Sequence, residues 1–92
     1  MLNPLYINQF VTDLKLAQKR GKNIEKLKAI IKLLINGDKL SIKFKDHQLI
    51  GNYANRRECH IESNWLLIYK VSQIEQEIIF ERTGSHSDLF KS

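Results

Sequence analysis

Ninety-two residues, 42% of them hydrophobic and 27% charged, supply one modest core and exclude a disordered polyelectrolyte. The formal charge of +5 is uneven: Asp13 to Lys45 holds ten Lys or Arg against three acids, so the rest of the chain is net acidic. Such a basic half draws polyanions from a distance, although a solvated lysine-rich helix face is its plainer reading. The longest apolar run, Trp65 to Tyr69, is far too short for a bilayer, and Met1 to Phe10 lacks the form of a signal peptide. Cys59 stands alone, so no internal disulfide forms and a reducing cytoplasm fits. The expectation is a single cytoplasmic domain over residues 1–92, with no membrane contact.

In chain order, Phe10, Leu14 and Ala17 recur at helical spacing, and Gly21 is a natural stop. Asn23 can cap a second helix whose stripe is Ile24, Leu27, Ile30, Ile31, Leu34 and Ile35, ended by Asn36-Gly37-Asp38. These two make a helical hairpin over about residues 9–36. The period then changes. Leu40 to Phe44 alternates weakly, and Asp46 to Tyr53 reads as a loop or a short edge strand. Arg57, Cys59 and Ile61 share one side of a strand, with Arg56, Glu58, His60 and Glu62 on the other. Ser63-Asn64 turns into a strand over Trp65 to Val71, and Gln73 to Gln76 turns into another over Glu77 to Arg82. Strands joined by short turns form an antiparallel meander, and its inner face can bury the helical stripe. The fold class expected is α+β: two N-terminal helices on an antiparallel sheet, with the sheet and active-site region at about 40–90. Whether the first few residues add an edge strand stays open, since Asn3-Pro4 opposes regular structure only locally.

The histidines carry the chemistry. His47, His60 and His86 all sit in polar contexts, and adjacent strands about 5 Å apart can bring them together. A lone histidine is more often a surface or capping residue. Three of them, with Arg82, Trp65 and Phe90 near the last two, suit RNA cleavage. RNA brings its own nucleophile, the 2′-hydroxyl, and needs a base, an acid and positive charge at the phosphorus. Histidine serves either proton task, Arg82 offers a planar fork for phosphate, and Trp65 or Phe90 can stack on a base, though Trp65 is more often core. Spacings of 13 and 26 residues between the histidines, with no close pair, argue against a metal site, and no cofactor motif is present.

Asp13 to Arg20, Lys45 to Leu49, Arg57 to Glu62, Trp65 to Tyr69 and Arg82 through Phe90 together resemble, in order and spacing, the YafQ branch of the RelE/ParE-type toxins. The resemblance covers about residues 11 to 90. It implies a toxin of a type II toxin–antitoxin pair that cuts translated mRNA in the ribosomal decoding site. It also implies a RelE-like fold, a cognate antitoxin as partner, and basic helices turned towards ribosomal RNA. Carried over by position, His47, His60 and His86 match the family's active-site histidines. Arg82 matches its phosphate-contacting arginine, Trp65 its site-proximal tryptophan and Phe90 its C-terminal aromatic. His86 is then the general acid, with His47 or His60 as base or charge stabiliser. The family commonly has Glu-Pro-Asp before the tryptophan, and here Glu62-Ser63-Asn64 stands instead. Asn64 can accept a hydrogen bond from a histidine but cannot act as a base. The competing expectation is a ParE-like toxin that binds DNA gyrase without cutting RNA, or a weakened RNA- or antitoxin-binding module.

Overall fold

The computed structural model describes residues 1–90, and its chain path follows the change in hydrophobic period. The elements are β1 (Asn3–Tyr6), α1 (Asn8–Lys19), α2 (Ile24–Ile35), β2 (His47–Gln48), β3 (Arg57–Glu62), β4 (Trp65–Ser72), β5 (Glu77–Gly84) and α3 (His86–Leu89). Short 3-10 turns at Ile42–Phe44 and Gly51–Tyr53 flank β2. The weak alternation of Leu40 to Phe44 thus yields a 3-10 turn rather than a strand. Only two residues of the following segment pair with the sheet.

The helix signals act as their chemistry dictates. The Asn23 side chain accepts the backbone N–H of Glu25 at the start of α2, a cap worth about 1 kcal/mol. At its end, Gly37 takes a φ of +80°, and the N–H of Asp38 reaches back to the Leu33 carbonyl at 3.0 Å. Leu27, Ile30 and Leu34 are buried, as their stripe requires. In α1 the buried positions are Phe10, Asp13 and Ala17, so a carboxylate occupies the stripe where Leu14 is only partly covered.

The sheet has five strands in the order β1-β5-β4-β3-β2. Pairing is antiparallel except at one edge, where β1 lies parallel to β5 with Leu5 opposite Ile79. An all-antiparallel sheet is therefore corrected to a mixed one. Pro4, which lacks a ladder donor, is tolerated because β1 is an edge strand. β4 is central, and Trp65 to Tyr69 is buried on both faces. On one face Trp65, Leu67 and Tyr69 join Cys59, Ile61, Ile78 and Phe80 beneath α1 and α2. On the other, Leu66 and Ile68 meet Leu89, with Tyr53 and Phe90 packed against them. That second cluster seats α3 and fixes where His86 stands. Among the described residues no helix is long and apolar enough to cross a membrane.

Candidate active site

Strand alternation sorts β3 cleanly. Cys59 and Ile61 enter the helix-side core, so Glu58 and His60 face the side covered by α3. Burial pushes the Cys59 thiol up to about 12, which leaves it an inert core group. β2 pairs His47 directly with Glu58, and α3 begins at His86. The three imidazoles thereby form a row. The ring centres of His47 and His60 are 6.4 Å apart, and those of His60 and His86 are 5.8 Å apart.

Hydrogen bonds fix which nitrogen does what. His47 Nδ1 lies 2.6 Å from the Lys45 carbonyl, an acceptor only, so Nδ1 carries a proton. Its Nε2 is 3.2 Å from Oε2 of Glu58, an ion pair whenever the ring is protonated. The same Oε2 is 3.8 Å from His60 Nε2. His86 presents both its backbone N–H and Nδ1 to Oδ1 of Asn64, each at 3.1 Å. Since a backbone N–H only donates, the Asn64 oxygen is the acceptor and His86 Nδ1 is protonated. Nε2 of His86 is then the nitrogen free for exchange.

α3 is short, and its position rests on other contacts. Ser85 and Asp88 form a reciprocal capping box, and Arg20 at the end of α1 grips Asp88 with a 2.6 Å contact. That guanidinium, with the Ser85 donors, holds the Asp88 carboxyl well below the usual carboxylate range. Phe90 packs edge-on against Tyr53 at 5.3 Å and stands 6.2 Å from the His86 ring, so it anchors the tail and borders the histidines at once.

Two expected roles change. Trp65 is 1% exposed, and its indole N–H donates to Thr83 Oγ1 at 3.0 Å, so it is core and offers no face for a base. The alternation of β4 places it on the helix side, away from the histidines. Arg82 is not a free phosphate fork. Its Nε and one terminal nitrogen donate to Asp13 at 2.7 and 3.3 Å, and the raised guanidinium pKa follows from that bond. The rest of its edge borders an open depression with Asn52, Tyr53, Arg56 and Phe90.

Glu58 is the residue that sequence reading missed. It alternates with polar neighbours like any exposed strand residue, yet it is only 5% exposed. Its nearness to His47 depends on a two-residue strand that no local pattern announces. One ligand atom each from Glu58, His60 and His86 lie within 4.8 Å of one another, because the fold closes distances that the sequence leaves wide.

Comparison with known proteins agrees with this fold. Residues 2–91 match the family described as bacterial toxin of type II toxin–antitoxin system, YafQ. The chain is 45% identical over 86 residues to the mRNA interferase toxin YafQ of Escherichia coli K12, across 92% of this chain and 91% of that one. The toxin in the crystal structure of the E. coli DinJ–YafQ complex superposes with a TM-score of 0.90 at 43% identity, covering 98% and 99% of the two chains. A metal-bound toxin from Helicobacter pylori does so at 0.92 and 36% identity, covering 98% and 100%.

Proposed function

Because the chain belongs to the YafQ family of type II toxin–antitoxin toxins, we propose that it is an mRNA endoribonuclease acting on the ribosome and held in check by a cognate antitoxin. The observation that carries the catalytic reading is the row of three imidazoles beside a buried carboxylate.

In the proposed reaction the 2′-oxygen attacks the adjacent phosphorus while His60 or His47 takes its proton. The bond from phosphorus to the 5′-oxygen breaks, and His86 Nε2 gives that oxygen a proton. The products are a 2′,3′-cyclic phosphate and a free 5′-hydroxyl. Each positioned proton transfer is worth roughly 10²–10⁴ in rate. Positive charge for the crowded phosphorane comes from an imidazolium in the row, since Arg82 is largely offset by Asp13. Phe90, half-buried beside His86, is placed to stack on a neighbouring base.

Docking on the ribosome falls to the basic helices. Lys15, Lys19 and Lys32 have no carboxylate partner among the described residues, which leaves their charge for ribosomal RNA. A ParE-like binder of gyrase has no use for converging imidazoles, so the nuclease is the reading we adopt. In the E. coli complex YafQ is held by DinJ, and we assign an antitoxin of that kind to this chain.

Primer extension on a defined message in a translating system tests the proposal. Wild type should make new cuts that disappear without ribosomes and with His86→Ala. Folded wild-type protein that leaves the message whole would overturn it and turn attention to gyrase.

A further inference from the structure

Asp46 comes one residue before His47 and serves the other side of the sheet. Its Oδ1 accepts the Tyr69 hydroxyl at 2.6 Å and Nε of Arg57 at 3.3 Å. Arg57 and Tyr69 are direct partners across β3 and β4, and Tyr69 belongs to the core beneath the helices. Successive side chains of an extended chain point to opposite faces. A carboxylate fixed on the helix side therefore sends the next side chain, His47, to the face that carries Glu58 and His60.

The rest of the segment gives His47 little support. Within residues 36–56, which join α2 to β3, only His47 and Gln48 form a strand. Two ladder pairs at a sheet edge are a weak hold. The turn before them is strained as well. Lys45 has a φ of +51°, left-handed for a residue with a side chain, and its carbonyl is the one that meets His47 Nδ1 at 2.6 Å. Such a conformation persists only where its surroundings impose it. On one side the Lys45 N–H bonds to the Ile42 carbonyl at 3.1 Å, and on the other the Asp46 carboxylate supplies the hold.

The Tyr69 end of that bond is firm. The residue is 2% exposed, and burial together with the Asp46 carboxylate pushes its phenol well above the usual range. The hydroxyl is thus a donor at any working pH, and without Asp46 it would be a buried donor left unpaired.

We propose that Asp46 is a positioning residue: bonded to the Tyr69 hydroxyl, it locks the turn at Lys45 and so sets His47 against Glu58 and beside His60. The placement stands on the contacts alone, and its effect on cutting rests on the nuclease proposed above. Asp46 acts through the backbone and neither takes nor gives a proton in the reaction.

Three variants test this. Asp46→Ala removes the acceptor, Asp46→Asn keeps an acceptor oxygen without the charge, and Tyr69→Phe removes only the hydroxyl. Circular dichroism and melting check that each is folded. The ring ¹⁵N shifts of His47 and His86 are recorded on the isolated toxin, and single-turnover cutting is followed on translating ribosomes over a range of toxin concentrations. The His47 ring nitrogens should shift in Asp46→Ala and Tyr69→Phe and return towards wild type in Asp46→Asn. His86, held by Asn64, should be unchanged in all three. The maximal cutting rate should fall about tenfold or more in the first two, as misplacement of a reacting group does, with the half-saturating concentration within about twofold of wild type. Combining Asp46→Ala with Tyr69→Phe should cost no more than the worse single change, as expected for two ends of one bond. His47 shifts that stay at their wild-type values in both folded variants overturn the placement, whatever the rate does. Shifts that Asp46→Asn does not restore overturn the hydrogen-bond account of it. Moved shifts with an unaltered cutting rate overturn its part in catalysis. If wild type does not cut at all, the nuclease fails on its own, and the ring shifts alone decide the placement.

Discussion

Oδ1 of Asn64 accepts two hydrogen bonds from His86, one from the backbone and one from Nδ1, both at 3.1 Å. The neutral amide therefore sets the tautomer and orientation of the imidazole without lending it charge. Changing Asn64→Asp keeps the acceptor and adds a negative charge that favours imidazolium. The acid form of His86 should then persist to higher pH, moving the alkaline limb of the pH–rate profile up by about one unit or less. A profile that coincides with wild type removes Asn64 from the catalytic account.

Asp13 is buried in α1 and accepts Nε of Arg82, the backbone N–H of Thr83 and the amide of Gln9. It ties the first helix to the last strand. Replacing it by Ala strips a half-buried guanidinium of its partner and leaves the Thr83 N–H unpaired, at a cost of about 2–4 kcal/mol. Urea unfolding of Asp13→Ala should show that loss in the midpoint. A change under about 0.5 kcal/mol would mean that the pair does not hold the helix and strand together.

Asp88 gives α3 an acid sensitivity. Its carboxyl is depressed by Arg20 and by the Ser85 donors, so the folded state keeps it charged where the unfolded chain would protonate it. The resulting stability is present above about pH 4 and is lost as pH falls below that towards the folded value. The expected contribution is small, because the pair is largely exposed and screened. Melting curves of wild type and Asp88→Asn should converge between about pH 4 and pH 2. Curves that stay parallel throughout would show that the ion pair is not linked to folding. Near neutral pH the variant should also cut more slowly, since the Arg20 ion pair that helps hold α3, and with it His86, is lost.

Trp65 separates packing from recognition. Trp65→Phe removes the donor to Thr83 Oγ1 and leaves a void in the core, at about 2–3 kcal/mol. RNA affinity of the folded variant should match that of wild type. Weakened RNA binding with undiminished stability would make the indole a contact after all.

Much of this could be read from residue order. The stripe of α2, its Asn23 cap and its Gly37 stop are local, and so is the alternation that sends Cys59 and Ile61 inward. What stayed hidden depends on partners distant in the chain. Asp13 reads as a surface acid until Arg82, 69 residues on, supplies the donors that make its burial tolerable. Trp65 reads as a possible stacking platform until the sheet places its indole against Thr83.

The sequence by itself determined the helical hairpin, the three successive strands, the basic charge and the three histidines, because periodicity, caps and composition act over a few residues. Only the tertiary structure decided that β1 runs parallel to β5, that Glu58 is buried beside His47, and that His60 and His86 face one another. Those relationships come from strand pairing and from the apolar seat of α3, where the free energy lies in contacts between segments and no local pattern records it.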